Sequence, residues 1–577
     1  MKTNRVNHAL VGALVAVFIV AGNLQAASRS EVIFTSMQDE LQRSMSDLVI
    51  EQLERPYFLS YTIDDFQELR MIGCLGELAE TKLDQTRYVT VDLRVGDWIL
   101  DNANFASGFN LPGPNYRRIT FDDDYDAIRN QIYLATDQAY KDALKMVSKK
   151  RAFLQTRVIK NRPADHIKLP ANQYRGSEQK FDLAPAQFEP QLRAGSKVFR
   201  DYPMIISSRI SLVGAVINQY FLNSTGSKAL RGDRLYRVEL TMTGKGPDDE
   251  DIFDRDQIIV TDLKEFPGTA QLTSWAKDNA ERMKAMIKAK AVEEYVGPVI
   301  LTGDAAGELF RQLFAKHVAN SPLPLCDNEQ MEKMLPEIAF ANKLKRRVLP
   351  DFFNVYDDPT IGRLGDLKLI GGYGVDDAGG IPVRVQLVDK GKLINLLIGT
   401  APTRKVTEPN GHARGAVGSS VTARPANLIF ESTDQVPYEQ LKKTLIELCQ
   451  DSDLEYGLII TRLGDPSSPR RISFYFGGGQ GARESQVSAP IEIYKVYADG
   501  REEPVHSLEF GDVTVRILRD ILQTSDQQYA YNYLTGGDYE LPVTVICPAV
   551  LVEEMELKKS EEKTKTGPIL PSPLAGR

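Results

Sequence analysis

The sequence predicts an α+β protein built from several compact domains. Its 577 residues are 42% hydrophobic and 26% charged, which is ordinary for a folded chain and excludes a coiled coil, a collagen-like repeat or a wholly disordered chain. Predicted helices and strands are interspersed without the regular strand-helix alternation of a doubly wound sheet. At about 150 residues per domain, the length suggests three or four units.

The charge balance argues against a nucleic-acid partner. Lys and Arg number 70 against 78 Asp and Glu, which gives a formal net charge of -8. No block of Lys and Arg is longer than the one at 343–347. Because nucleic-acid binding depends on a basic surface, we expect no nucleic acid among the partners.

The amino terminus has the pattern of a secretory signal peptide. Lys2 and Arg5 precede an uncharged apolar run at 9–22, and small residues follow up to a cleavage point after Ala26. A permanent anchor is the alternative, but fourteen helical residues rise only about 21 Å, less than the roughly 30 Å of a hydrocarbon layer. We therefore predict a signal peptide at 1–26, export to the periplasm or medium, and no stable membrane anchor after cleavage.

The Cys and His residues are scattered. The four cysteines, Cys74, Cys326, Cys449 and Cys547, form no C-x-x-C pair, and core thiols are the expected state, although their disulfide state is left open. Four histidines remain after residue 26, and no two are close in the sequence. The sequence thus offers no obvious His pair for a metal.

The first predicted unit is an α/β domain at 27–156. It contains a helix at 31–53, strands at 57–65 and 87–95, and a long amphipathic helix that starts at the acidic run 122–124. This run could instead hold a cation, but its residues are adjacent rather than spaced around a loop with Gly. A helix N-terminus is the preferred interpretation.

A linker is predicted at 157–203, where periodicity is lost, followed by a β-rich middle domain at 204–296. The middle domain is predicted as an antiparallel meander with strands at 207–213, 217–222 and 235–243, a turn at 223–226, a solvated acidic loop at 247–256 and a helix ending near 296.

The third unit is an α+β domain at 297–555, and 556–577 is predicted as an extended tail. Its predicted elements are a strand at 299–301, a helix at 304–318, a hairpin formed by 383–388 and 393–398, a helix at 441–449, and strands at 491–497 and 543–547.

Common catalytic motifs are missing from the sequence. The Gly-rich run at 477–481 lacks the following Lys-Ser/Thr of a phosphate loop, and a flexible hairpin loop is the simpler interpretation. No G-x-S-x-G motif occurs, which argues against a serine hydrolase of that type. Isolated His residues cannot supply the paired ligands of a helical zinc-peptidase motif.

Several short stretches resemble a known family when they are taken in order. They are the turn Asn-Ser-Thr-Gly at 223–226, Gly-Pro-Val-Ile at 297–300 with the helix that follows, Val-Tyr-Asp-Asp-Pro at 355–359, Gly-Gly-Tyr-Gly-Val-Asp-Asp at 371–377, Val-Asp-Lys-Gly-Lys-Leu at 388–393, Asn-Gly-His-Ala-Arg at 410–414 and Arg-Pro-Ala-Asn-Leu at 424–428. Each is modest alone, but their order resembles the TldD/PmbA family over most of the chain.

The resemblance implies a three-part fold and a zinc-peptidase relative whose metal motif is degenerate here. Active TldD-type members carry His-Glu-x-x-x-His on the helix after Gly-Pro, with a later Cys as third ligand. On this helix, Arg311, Gln312 and Lys316 occupy those positions, and the matching stretch at 532–535 has no Cys. A Gln cannot act as general base, and two cations repel a zinc ion.

The candidate peptide-binding residues follow from the same resemblance. They are Arg311, His412, Arg414 and Asn427. Arg311 and Lys316 could provide two positive charges for an acidic peptide, or they could be ordinary solvated helix residues. His317 is one residue away from the motif position, but it continues an apolar stripe and is expected to be structural.

Two functions are consistent with this pattern. The first is a non-catalytic peptidase homologue without a cofactor, which binds extended or unfolded polypeptide, at the meander edges for instance, or pairs with a paralogous active subunit. The second is an active peptidase with an unrecognised metal site, which would need zinc or a similar ion. We prefer the first and expect a dimer.

Overall fold

The computed structural model describes residues 28–49, 53–109, 113, 115–157, 159–247, 251–335, 338–464, 487–535, 541–560 and 573–574. The helical elements are α1 (Arg29–Asp47), α2 (Tyr125–Thr156), α3 (Glu189–Lys197), α4 (Thr269–Lys288), α5 (Asp304–Phe310), a π-helix (Arg311–Ala315), α6 (Lys316–Val318), α7 (Glu329–Met334) and α8 (Tyr438–Asp451). None of the described helices has the length and apolar character that crossing a membrane requires. The predicted signal peptide and the Gly-rich run at 477–481 lie outside the described residues.

The strands are interspersed among these helices without regular alternation. In the first half they are β1 (Pro56–Cys74), β2 (Glu77–Val95), β3 (Phe105–Ala106), β4 (Asn115–Ile119), β5 (Gln173–Arg175), β6 (Ile205–Asn223), β7 (Lys228–Lys245), β8 (Asp251–Val260), β9 (Lys290–Ala291) and β10 (Glu294–Leu301). In the second half they are β11 (Leu325–Cys326), β12 (Phe353–Asp357), β13 (Arg363–Leu364), β14 (Leu367–Lys368), β15 (Val385–Asp389), β16 (Lys392–Leu393), β17 (Ala413–Arg414), β18 (Thr422–Ala423), β19 (Asn427–Ser432), β20 (Gln435–Val436), β21 (Tyr456–Leu463), β22 (Pro490–Tyr497), β23 (Glu502–His506), β24 (Leu508–Phe510), β25 (Ile521–Thr535) and β26 (Leu541–Lys559). The fold is α+β, as the sequence predicts.

The first sheet joins the predicted amino-terminal and middle units. Its strand order within the described residues is β4-β2-β1-β6-β7-β5, with β8 on β7. β1 pairs antiparallel with both β2 and β6, so that Ser60 lies opposite Asp92 on one side and Asn223 on the other. The sheet is therefore continuous across the segment predicted as a linker.

One face of this sheet carries all the helices of the first half. Leu59, Tyr61 and Ile63 of β1 pack under α1 and α2, whereas Leu69 and Met71 at the other end pack under α3 and α4. Because side chains alternate along a strand, Ser60, Thr62 and Asp64 point to the opposite face, toward the carboxy-terminal domain. Two helix pairs thus cover one face of the first sheet, and the carboxy-terminal domain lies against the other. We call the first sheet with its helices one layer and the carboxy-terminal domain the other.

Four local predictions need correction. The segment predicted as a linker contains α3, whose Leu192 and Gly195 are buried against the first sheet. The predicted strands at 207–213 and 217–222 form the single strand β6. The acidic loop at 247–256 is largely strand β8, and the tail predicted from 556 continues β26 as far as Lys559. These elements are determined by strand pairing or by packing on a sheet, which the local sequence pattern does not contain.

The second sheet forms the core of the carboxy-terminal domain. Within the described residues it has thirteen strands, and its main path is β16-β15-β12-β19-β26-β10-β21-β22-β23-β9. The side chains of β10 alternate between two layers: Val299 and Leu301 face α5, while Ile300 faces α8. The sheet is thus covered by helix on both faces near β10, and it positions α5 over its centre.

Other local predictions are confirmed. Asp124 caps α2 by accepting a hydrogen bond from the backbone N–H of Ala127 at 2.8 Å. The hairpin at 383–398 is present as β15 and β16, and the helix at 441–449 lies within α8. All four cysteines are free thiols, three of them buried and Cys74 half-buried.

Buried ion pairs join the two layers. Arg231 on β7 donates to Asp377 at 2.7 Å, and Arg462 on β21 donates to Asp254 on β8 at 2.6 Å. Since a buried charge is costly without a partner, each pair favours the arrangement in which both layers are in contact.

Candidate functional site

The helical segment after β10 carries the positions that the sequence singles out. It is α-helical at both ends but forms a π-helix at Arg311–Ala315. Leu309, Phe310, Leu313 and Phe314 are fully buried in the carboxy-terminal core. Burying each such side chain stabilises the fold by about 1.5–3 kcal/mol, which fixes the segment on the sheet.

The π-helix changes the relation between residues five apart. In an α-helix, side chains five residues apart point about 140° away from each other. A π turn bonds residue i to residue i+5 and brings such residues onto the same side. Positions 311 and 316, the two ends of the degenerate motif, therefore share the side of the helix that a five-residue ligand spacing needs, although Lys316 itself is exposed to solvent.

Glu308 is the centre of a buried side-chain cluster beside this segment. Its Oε1 accepts hydrogen bonds from Arg311 and from the Tyr531 hydroxyl, each at 2.5 Å, and its Oε2 accepts one from Gln312 at 2.8 Å. Gln312 also donates to Ser488 Oγ at 2.7 Å and accepts from the Ser488 backbone N–H at 2.9 Å. We call these five residues the Glu308 cluster.

The charges of the Glu308 cluster are balanced internally. The Arg311 side chain is 19% exposed and the Glu308 side chain 4%. Burial disfavours the charged form of Arg311, but the Glu308 carboxylate outweighs it and raises the pKa of the guanidinium. The guanidinium also lies 4.5 Å from the ring centre of Tyr533, a cation-π contact. Arg311 is therefore not the free positive charge that an acidic peptide would need.

The residues at this position do not fit a zinc ion. Zinc in proteins is held by thiolate, imidazole and carboxylate groups, and only Glu308 in this cluster is of that kind. Its two oxygens already accept three hydrogen bonds, one of them from a guanidinium cation. Within the described parts of the chain, no three His, Cys, Asp or Glu side chains are grouped as a metal site.

The other predicted binding residues lie in a separate buried network. His412 is fully buried; one ring nitrogen is 3.0 Å from Asp357 Oδ1 and the other 2.8 Å from the Asn410 carbonyl. Asn427 donates to the carbonyls of Asp358 and Ile361, so its amide holds the loop that follows β12. In this conformation neither side chain has a polar atom available to a peptide.

Arg414, the last predicted binding residue, is also buried. It donates to Asp377 at 3.3 Å, and its guanidinium lies 4.1 Å from the ring centre of Tyr373. His317 is buried as well and accepts a hydrogen bond from the backbone N–H of Ala339 at 3.2 Å. Burial, with smaller effects of nearby lysines, lowers the pKa of His317 to about 4, so it is neutral and structural.

Two adjacent aspartates that the sequence did not single out as site residues organise the contact between the layers. Asp376 accepts hydrogen bonds from the backbone N–H groups of Ala378 and Gly380 and so closes its own loop. Asp377 accepts from Arg231, Arg414 and the N–H of Gly415. Burial raises the pKa of Asp376 to about 6, whereas the guanidinium of Arg231 overcomes burial and lowers that of Asp377.

A row of polar side chains on the first sheet leads to Asp377. Asp64 lies opposite Gln219, and Gln219 lies opposite Arg231, across three neighbouring strands. Gln219 donates to Asp64 at 3.0 Å. Burial raises the pKa of Asp64 to about 7. The row ends where Arg231 bonds to Asp377, which gives a continuous polar connection between the layers.

A cavity of about 340 Å³ lies beside this connection. Its walls come from the free face of β1, β2 and β6, from 98–104 and 166–169, and from loops of the carboxy-terminal domain at 399–401 and 419–423. A volume of this order is typical of a ligand site. The Glu308 cluster is not part of its lining.

The carboxy-terminal domain matches a known domain family. Residues 294–559 match the model described as the PmbA/TldA metallopeptidase C-terminal domain. The carboxy-terminal domain therefore belongs to the TldD/PmbA family. No curated protein matches the sequence.

Solved structures extend the likeness of fold to about nine tenths of this chain. A protein of Thermotoga maritima, described as a candidate modulator of DNA gyrase, superposes with a TM-score of 0.59 at 13% identity, covering 91% of this chain and 100% of its own. TldE of Thermococcus kodakarensis gives 0.54 at 12%, covering 90% and 99%. A Bacteroides thetaiotaomicron protein, also described as a candidate gyrase modulator, gives 0.54 at 13%, covering 91% and 98%.

Proposed function

We propose that this TldD/PmbA-family protein is a non-catalytic, exported peptidase homologue that binds extended polypeptide or pairs with an active subunit. The observation that carries the proposal is the Glu308 cluster, because it fills two of the three motif positions, 311 and 312, with side chains that hydrogen-bond within the cluster. The resemblance assigns those positions to zinc ligands and a general base.

The chemistry of the cluster supports a loss of peptidase activity. Metal-assisted hydrolysis needs a bound water held by the ion and a base that takes its proton. Gln312 has no basic atom, and the carboxylate that contacts it, Glu308, is paired with Arg311 and accepts a hydroxyl hydrogen bond from Tyr531. Burial and the neighbouring Glu308 carboxylate raise the pKa of Tyr531, so its phenol stays a donor rather than a base.

Binding of polypeptide is supported by the domain family and by the cavity. The matched family model is that of a metallopeptidase domain, and a peptidase scaffold has a surface for extended chains. The cavity between the layers offers ligand-sized space away from the degenerate motif. The second part of the proposal is that the protein pairs with a paralogous subunit. Such pairing would give a dimer.

Metal content separates this proposal from the alternative of an active metallopeptidase. The full mature protein is purified without added metal, and its zinc is measured together with cleavage of unfolded casein. We expect less than one zinc ion per protein molecule and no chelator-sensitive cleavage of casein. Stoichiometric tightly bound zinc with chelator-sensitive cleavage would overturn the proposal in favour of the active enzyme.

The binding role is tested separately. Unfolded casein fragments labelled with a fluorophore are titrated with the same protein, and a pull-down from a periplasmic extract is used to identify a paralogous subunit. We expect saturable binding of the fragments or stoichiometric recovery of one related subunit. Failure of both would contradict the proposal.

A further inference from the structure

We propose that the cavity between the first sheet and the carboxy-terminal loops binds an uncharged, extended segment of polypeptide. This inference rests on the proposed polypeptide-binding function and adds where the chain binds and which chemistry it has. Four features of the cavity lead to it: free hydroxyl groups, the absence of an uncompensated charge, aromatic walls and the spacing of the sheet.

The first feature is a set of hydroxyl groups on the free face of the sheet. Ser60 and Thr62 lie two residues apart on β1, and Thr90 of β2 lies opposite Thr62. All three line the cavity, and among the described residues their hydroxyls have no hydrogen-bond partner. Hydroxyls that face the cavity without a protein partner can both donate hydrogen bonds to, and accept them from, the amide groups of a ligand.

The second feature is that the charges in the lining are already paired. Arg94 bonds to Asp92 and to Asp101, the latter at 3.1 Å, and Asp377 bonds to Arg231 and Arg414. His166 is buried, and burial together with Arg94 holds the pKa of its ring well below the usual value, so it is neutral. A charged ligand would lose its hydration here without gaining a free counter-charge.

The third feature is an aromatic wall. Trp98 stacks on His166 with ring centres 4.8 Å apart, and Phe58 packs edge-on against Trp98 at 5.9 Å. Phe221 of β6 lines the cavity beside Thr62. The aromatic surface can pack against the Cα atoms and small side chains of a bound chain, while the hydroxyls bond its amides.

The fourth feature distinguishes an extended polypeptide from a neutral sugar. Residues i and i+2 of a strand are about 6.6–6.8 Å apart, so Ser60 and Thr62 present hydroxyls at that interval. An extended peptide repeats its amide groups on one side at the same interval, and each hydroxyl can both donate and accept. The spacing therefore fits a peptide that runs along β1.

The test uses labelled decapeptides of Ser, Thr, Asn and Gly, with two matched versions that carry two Asp or two Lys residues. Fluorescence anisotropy is measured with the full mature protein. We expect the neutral peptide to bind about tenfold more tightly than either charged one, because two unpaired charges must be desolvated. Equal affinities for all three would overturn the inference.

Variants of the lining locate the binding. Thr62→Val and Thr90→Val together remove two hydroxyls with little change of shape, and we expect about tenfold weaker binding of the neutral peptide. Thr81→Val is the matched control, because Thr81 lies on the exposed part of β2 outside the cavity. Equal melting temperatures of all variants show that folding is intact.

The outcomes separate this inference from the proposed function. Binding of peptides that the Thr62/Thr90 variant leaves unchanged would overturn the cavity assignment while the polypeptide-binding function stands. Failure of casein fragments and all three decapeptides to bind would overturn both. Displacement of the neutral peptide by maltoheptaose, with weaker binding of that sugar to the Thr62/Thr90 variant, would replace polypeptide by saccharide as the ligand class.

Discussion

The guanidinium of Arg311 donates to the carboxylate of Glu308 at 2.5 Å, from one turn further along the same helical segment. Removing Arg311 leaves Glu308 buried with two hydrogen-bond donors but no counter-charge. We expect Arg311→Ala to lower the free energy of unfolding of this domain by about 2–3 kcal/mol, below the value for a fully buried pair because Arg311 is partly exposed. Thermal unfolding of the variant and of the unaltered protein measures this difference.

The matched control for this prediction is Arg347→Ala. Arg347 forms an i,i+4 pair with Asp351 at 3.4 Å, and both side chains are more than half exposed. Exposed pairs of this kind contribute about 0–1 kcal/mol. If the two variants melt at the same temperature, the Arg311–Glu308 pair does not stabilise this segment.

Restoring the motif alone is not expected to restore a peptidase. The triple variant Arg311→His, Gln312→Glu, Lys316→His has two imidazoles on the side of the helix that positions 311 and 316 share. The Glu308 cluster offers no third imidazole or thiolate ligand beside them. We expect weak zinc binding and no casein cleavage. Adding Tyr533→Cys should tighten zinc binding, because Tyr533 lies against the 311 side chain.

Zinc titration followed by competition with a chromogenic chelator measures this series. The triple and quadruple variants are compared with the unaltered protein and with Tyr533→Cys alone. Robust zinc-dependent cleavage by the triple variant would show that a third ligand already exists elsewhere in the chain.

Asp64 is expected to make stability depend on pH. Its pKa of about 7 in the folded protein exceeds the ordinary 3.8, because burial disfavours the carboxylate. The folded protein therefore binds this proton more tightly than the unfolded chain, and stability falls as pH rises from about 4 to 7. Asp64→Asn should reduce that fall and melt at a higher temperature than the unaltered protein at pH 8.

Melting temperatures between pH 4 and 8 test this prediction. Asp137→Asn is the control, since Asp137 pairs with Lys141 on the exposed side of α2. Parallel pH profiles for the unaltered protein and Asp64→Asn would contradict the role given to Asp64.

The mature amino terminus is expected within two residues of Ala27. Helix α1 begins at Arg29, two residues after this point, and Ser28 caps the helix by accepting a hydrogen bond from the N–H of Glu31 at 3.4 Å. Amino-terminal sequencing of the exported protein measures the cleavage point. Recovery of intact Met1 from a cytoplasmic pool alone would contradict export.

Features set by neighbouring residues were predictable from the sequence. The Asp124 cap and the buried face of α8, formed by Leu441, Leu445 and Cys449, depend on residues within one or two helical turns. The Glu308–Arg311 pair belongs to this class too, because an acid three residues before a base on a helix is a recognisable pattern. That pattern predicts an ion pair between Glu308 and Arg311.

Features that depend on strand pairing were not predictable in this way. Tyr531 and Ser488 reach the Glu308 cluster only through the second sheet, from more than 170 positions further along the chain. Two strands are predicted at 207–213 and 217–222, but Gly214 between them lies opposite Leu69 on one side and Tyr236 on the other, so the pairing with both neighbouring strands continues through this point. No local pattern contains such pairings.

The pairing of β1 with β6 also governs how the chain reaches its fold. The β1–β2 hairpin can close early, but a two-stranded hairpin is marginal by itself in water. Its other neighbour is β6, which follows α2 and α3 in the chain, so the long edge of β1 stays open until those segments have been synthesised and placed. Such non-local contacts make folding slow and leave an aggregation-prone edge exposed meanwhile. Formation of the first sheet should therefore limit the rate of refolding and the highest protein concentration at which refolding succeeds.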